Sequence, residues 1–492
     1  MNTRFRNLIC ASVLVSAVAV VYRPAARSAV QPSLIPVTDP TLPENDPVLK
    51  LFRPDRALNY QPGPVDPGVV SQLYASPLGK AYQLVHADRS IFMACGPGTK
   101  WCANPAFSFQ TIFSEAALLA KQPDADVVVR QWAKASIDQD PLLAKLLTVS
   151  SLAEANQKLT LLAIANRMDL AYLEGDKWVG AEVHFIYGAT PTNLSAPDFM
   201  VNLEFELPAL PEVALTKDDL DFPTLAATWV SLPATDDASY GARLKAVLQQ
   251  SGFSLDKPPT RIRTLKSRMN HTQAGPWRLS QLYLDPEQGS DFVPRTLDGQ
   301  MKLGMPPAQQ EAMWQSLTPP QTASGVAAYR VGASYQANTP LDYRMSPQAM
   351  ETPPGVCNAS PDTRNILALQ QCSWCHTGET GTHFAHVQNR RPKETAKLSG
   401  FLVGKGLATI QPKLEDLYYG NPTVVFQVKL TYNTYSAPPQ CTTLVNPQPL
   451  LDRRFHDVAR RTLFLASFLS SKGPFRAAGG LAALNFATRF TE

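Results

Sequence analysis

Two stretches of strict alternation constrain this chain more than any other feature. Val183, Phe185 and Tyr187 alternate with His184 and Ile186, and Val201, Leu203, Phe205 and Leu207 alternate with Asn202, Glu204 and Glu206. A period of two sends successive side chains to opposite sides of an extended strand, whereas a helix would scatter the same residues around its axis. A β-sheet with one apolar face follows. The second stretch reads as a half-buried strand whose polar side meets water or a partner. His184, opposite the apolar side, reads as a surface histidine. Trp277 to Leu284 reads as a further strand.

Helical spacing surrounds these strands. From Ser71 to Leu173 the pattern is mainly helical, with Phe113, Ala116, Ala117 and Ala120 on one face and Leu142, Leu143, Leu146 and Leu147 on another. Leu159 to Ile164 is a short buried run that leads into Asn166, Arg167 and Asp169. That polar cluster reads as an ion pair ending a helix, with a pocket lining as the alternative. Pro223 to Leu232 and Arg243 to Gln250 read as short helices. This order lacks the regular βαβ alternation of a parallel sheet, so the expected fold class is α+β, a mixed sheet with packed helices.

Composition sets the boundaries. A length of 492 residues allows two to four domains at about 150 residues each. With 44% hydrophobic and 17% charged residues the chain carries ordinary cores and not a disordered composition. A net charge of +4, from 45 basic and 41 acidic residues without a basic run, gives no electrostatic case for nucleic acid. The 43 prolines are well above the usual share of about 5%. They gather in a leader over 30–70 and in pairs at 306–307, 319–320 and 353–354, which mark 304–356 as a linker. An α+β domain over 71–303 and a C-terminal domain over 357–492 remain.

The N-terminus has the pattern of an export signal over 1–29. Arg4 and Arg6 precede the apolar run Leu8–Val21, which is shorter than the roughly 20 residues of a spanning helix. Ala17-Val18-Ala19 offers a cleavage site, with an uncleaved anchor as the alternative. The expected location is periplasmic or secreted, with no membrane span in the mature chain. Without Cys10, six cysteines remain. An even number in an exported chain suggests oxidised pairs, here Cys95 with Cys102 around a Gly-Pro-Gly turn, and Cys357 with Cys441.

The most specific chemistry lies in the sequence Cys372-Ser373-Trp374-Cys375-His376. Covalent haem attachment needs two thiols three positions apart, to reach the vinyl groups along one edge of the macrocycle. It also needs a histidine directly after the second thiol as axial ligand. The motif closes a predicted helix, Thr363 to His376, that starts behind Pro361 and the N-cap candidate Asp362. A sixth iron ligand would be Met350 or His386, since no methionine follows Met350. His386 lies ten residues beyond the motif histidine, and ten extended residues reach about 33 Å. Two other uses of the same residues stay open. Cys372, Cys375, His383 and His386 form a Cys2His2 set of the kind that holds zinc, and Cys372 with Cys375 alone would form a disulfide.

With Leu369-Gln370-Gln371 ahead of it, the motif resembles the attachment helix of class I c-type cytochromes. This implies haem c at Cys372 and Cys375, His376 on the iron, and a redox partner protein. Three stretches also look like pieces of a family of large secreted bacterial proteins: Cys372 to Thr380 running on to Phe384-Ala385-His386-Val387, Asn166 to Leu170, and Pro276 to Leu279. That resemblance implies export. Hydrolase signatures are absent, since the chain has neither G-x-S-x-G nor H-E-x-x-H. Gly400 to Gly406 is one residue short of a phosphate loop and lacks the hydroxyl residue after Lys405. Enzymatic activity is left open. The reading is an exported monohaem protein, with a secreted structural or binding protein stapled by zinc or a disulfide as the alternative.

Overall fold

A computed structural model describes residues 92–96, 99–189, 199–212, 220–230, 232, 239–255, 259–271, 278–287, 291–295, 301, 305–316, 333–335, 386–388, 397–398 and 402. In chain order these begin with strand β1 (Phe92–Ala94) and helices α1 (Phe109–Leu119), α2 (Ala125–Gln139), α3 (Ala144–Leu147) and α4 (Leu152–Lys158). Strands β2 (Leu159–Arg167), β3 (Tyr172–Glu174), β4 (Lys177–Val179), β5 (Glu182–Ala189), β6 (Phe199–Glu206) and β7 (Leu210–Pro211) follow. Helices α5 (Phe222–Val230) and α6 (Tyr240–Gln250) precede β8 (Thr264–His271), β9 (Arg278–Leu284) and β10 (Val293–Pro294). Helix α7 (Pro307–Ser316) and the short pair β11 (Val387–Gln388) and β12 (Lys397–Leu398) complete the set.

The helices start where their caps predict. Ser108 accepts the amide of Thr111 at the head of α1, Asp124 that of Asp126 at the head of α2, and Ser151 that of Glu154 at the head of α4. Each cap satisfies one of the amides that a first helical turn leaves without an intrahelical acceptor. Helix α7 falls within the 304–356 stretch expected to be a linker. No helix among the described residues is long and apolar enough to cross a membrane.

Among the described residues the main sheet has seven strands in the order β1-β2-β5-β6-β8-β9-β10, and every pairing between them is antiparallel. Helices packed on an antiparallel sheet make the fold α+β. The parallel component of the expected mixed sheet does not occur among these strands. The helical pattern also ends at Lys158 and not at Leu173, because Leu159 opens a nine-residue strand. That strand is buried on both sides except at Thr160, so its sequence shows a continuous apolar run with no period to distinguish strand from helix.

Val183, Phe185, Tyr187, Val201, Leu203 and Phe205 form one buried face of the sheet, as their alternation requires. Helices α1 and α2 pack there. Phe109 of α1 meets Tyr187 edge-on at 5.2 Å and Trp132 of α2 at 5.6 Å. Phe253, just beyond α6, meets both Phe185 and Phe205 edge-on, at 5.5 and 5.2 Å. The Tyr187 hydroxyl, buried by this packing, donates to the Phe107 carbonyl at 3.1 Å. At the sheet edge Cys95 and Cys102 form a disulfide with their Cα atoms 5.8 Å apart. Thr99 Oγ1 accepts from the amide of Gly96 inside that loop.

Candidate functional site

The opposite face of the same strands carries charge. Register places His184 beside Glu204 and Glu204 beside Lys266, while Glu182 stands opposite Arg167 and Arg268 opposite both Asn202 and Gln281. Cross-strand partners share a face, so these side chains converge on one polar patch. The patch is buried: Glu182 is 5% exposed, His184 5% and Glu204 1%. His184 is therefore not the surface histidine its strand position suggested, and the polar side of β6 does not face water at Glu204.

Charge compensation makes this burial affordable. Three carboxylates (Asp169, Glu182, Glu204) meet three cations (Arg167, Lys266, Arg268). Arg167 Nε donates to Asp169 Oδ1 at 2.9 Å with both side chains fully buried. This is the ion pair expected of Asn166-Arg167-Met168-Asp169, placed at the end of a strand instead of a helix. Asn166 caps the turn by accepting the amide of Met168 at 2.8 Å. Lys266 donates to Glu182 Oε1, and Arg268 reaches Glu204 Oε1 at 3.2 Å while its Nε donates to Gln281 at 2.9 Å. Asn202 Nδ2 donates to the same Glu204 Oε1 at 2.8 Å.

Around His184 the arrangement sets ionisation. Its Nε2 lies 2.8 Å from Glu182 Oε2. Burial depresses the imidazole pKa, and the neighbouring Glu204 and Glu182 offset only part of that, so the ring is held neutral. Burial pushes the Glu182 carboxyl up, yet Lys266 and the His184 contact outweigh it and hold the group well below the usual carboxylate range. For Lys266 burial opposes the charge, while Glu182 and Glu204 raise the pKa above its ordinary value.

One donor atom from each of Glu182, His184 and Glu204 lies within 4.8 Å of the other two. Two carboxylates and a neutral imidazole are ligands suited to a divalent cation. The sequence pattern did not lead to this trio. The signal lies in residues of opposite sign on alternate positions of successive strands, but Ser267 interrupts the apolar side of β8, so the alternation there does not place Lys266 and Arg268.

Of the residues singled out by motif, Cys372, Cys375, His376, His383, Met350, Cys357 and Cys441 lie outside the described residues, as do the helix Thr363 to His376 and the domain boundaries proposed around it. His386 is described. It is half-buried and directly precedes β11, whose Val387 is 4% exposed. Comparison with family models, with curated proteins and with solved structures gives no match.

Proposed function

We propose that this chain is an exported monohaem c-type protein with a role in electron transfer or haem-dependent redox chemistry. The single observation behind this is Cys372-Ser373-Trp374-Cys375-His376. The donor set fits the group: two thiols spaced for the two vinyl positions, and an imidazole directly after them for the iron. The motif-bearing helix from Thr363 would present all three residues. Haem c supplies one-electron redox chemistry when attached, and His386 or Met350 is the sixth ligand in this reading. A periplasmic or secreted location and a redox partner protein belong to the same proposal. The Cys95–Cys102 disulfide supports it, because disulfides persist in the oxidising compartments where c-type haem is attached.

Expression with an export signal in a host carrying a cytochrome c maturation system tests this. The expected product is coloured, with a Soret band and a pyridine haemochrome spectrum of one haem per chain, lost in Cys372→Ser/Cys375→Ser. A colourless product containing one zinc, or one in which Cys372 and Cys375 are bonded to each other, would replace the electron carrier with a stapled structural protein.

A further inference from the structure

We propose that Glu182, His184 and Glu204 form a binding site for a divalent first-row transition cation on the polar face of the sheet. The inference goes beyond the haem reading and stands on separate residues, so it holds or fails whether or not haem is attached.

The convergence of the three side chains is the first observation. The second is independent of it: two buried acceptor oxygens at the same place have no donor. Glu204 is 1% exposed, and its Oε2 accepts no hydrogen bond. Asn202 Oδ1, on the residue that donates to Glu204 Oε1, accepts none either. Buried acceptors without donors carry the full cost of lost hydration, about 1–3 kcal/mol each and more for a charged group. A cation bound at Glu204 Oε2 removes that cost for the charged group. Unused acceptor oxygens beside an imidazole are the donor types a divalent cation takes.

The assignment of the oxygens is also consistent. Each carboxylate has one oxygen held by a protein cation, Glu182 Oε1 by Lys266 and Glu204 Oε1 by Arg268. Glu182 Oε2 touches His184 Nε2, and Glu204 Oε2 is unused. The outer oxygens are thus fixed in orientation, as carboxylate ligands in metal sites commonly are by hydrogen bonds from behind. A cation between Glu182 Oε2 and His184 Nε2 replaces one hydrogen bond with two coordinate bonds. Three protein donors leave further coordination positions for water or a substrate atom. Oxygen-rich ligation with one nitrogen suits Mn²⁺, Fe²⁺ or Zn²⁺, and excludes the soft-thiolate chemistry of the cysteine motif.

Mn²⁺ is the appropriate probe, because it prefers oxygen and nitrogen donors and so distinguishes this site from Cys372 and Cys375. The mature full-length chain, stripped with chelator, is titrated with Mn²⁺ and followed by electron paramagnetic resonance. The proposal expects one Mn²⁺ per chain with nitrogen coupling from a single imidazole in the spin-echo spectrum. Glu204→Gln should weaken binding by about tenfold or more, by loss of a charged ligand, and His184→Gln should abolish the nitrogen coupling. Circular dichroism of the metal-free variants verifies their fold. Absence of bound Mn²⁺ from the wild type, or bound Mn²⁺ without nitrogen coupling, overturns the proposal even if neither variant folds. Unchanged binding in both folded variants overturns it as well.

Discussion

The indole nitrogen of Trp132, on α2, donates to the hydroxyl of Ser267, on β8, at 2.8 Å across 135 positions of sequence. Both side chains are fully buried, and the bond fastens the helix layer to the centre of the sheet. Ser267 stands among Leu265 and Met269 on the apolar face, where a hydroxyl survives only because the indole needs an acceptor. Ser267→Ala therefore leaves a buried N–H without a partner. The expected loss is about 1–3 kcal/mol of unfolding free energy, read from urea denaturation. Trp132→Phe/Ser267→Ala, which removes both polar groups, should cost less than the sum of the two single changes. Additive costs would show that the bond does not couple the layers.

That serine also explains why β8 was not legible in sequence. Leu265, Ser267 and Met269 alternate with Lys266, Arg268 and Asn270, but one polar residue on the core side breaks the apolar half of the pattern. The strands with unbroken alternation, β5 and β6, turn the face their pattern predicts inward. Their polar faces are not predictable in the same way, because a period of two separates two chemistries without showing whether the polar one is wet. Burying Glu182 and Glu204 depends on Lys266 and Arg268, which lie 84 and 64 positions further along and become neighbours only through strand pairing. Local pattern cannot supply that. The Cys95–Cys102 pairing was legible because the two cysteines are only 7 positions apart.

The Arg167–Asp169 pair gives the second prediction. With both groups buried, removal of one leaves the other charged in a medium of low polarity, at an expected cost of about 3–5 kcal/mol. Asp169→Asn should lower the midpoint of thermal unfolding markedly. Arg167→Met/Asp169→Leu, which removes both charges and keeps the volume, should be closer to the wild type than Asp169→Asn is. A double variant as unstable as the single one would mean that the pair is needed for more than mutual neutralisation.

The disulfide gives the third. It fastens the chain just after the edge strand β1, where the amide of Cys95 donates to the Leu162 carbonyl at 2.7 Å. A short closed loop constrains the unfolded chain by about 2–3 kcal/mol. Cys95→Ser/Cys102→Ser should lose stability of that order. Amide hydrogen exchange should rise first at Phe92–Ala94, which among the described residues pairs with the sheet only through β2. Uniformly raised exchange, with no excess at this strand, would show that the bridge acts on the whole domain and not on its edge.

Glu154 gives the last, and it concerns pH. Its Oε2 accepts the amide of Ser150 at 2.8 Å and its Oε1 meets Lys158 at 3.0 Å, so the carboxylate closes the first turn of α4 and pairs along it. The Ser150 amide, then the hydrogen bond from Lys158, hold its pKa at about 2 against an ordinary value of 4.5. A carboxyl whose pKa is lower in the folded than in the unfolded chain adds stability that is fully present above the unfolded value. That stability is lost as the pH falls through the folded one. The contribution of Glu154 should accordingly be complete above about pH 4.5 and fade as the pH approaches 2. In Glu154→Gln the difference in stability from the wild type should shrink over that interval, and the side-chain ¹³C resonance of Glu154 should titrate with a midpoint near 2. A midpoint at the ordinary carboxylate value would show that water competes successfully for the Ser150 amide, and that α4 is capped by Ser151 alone.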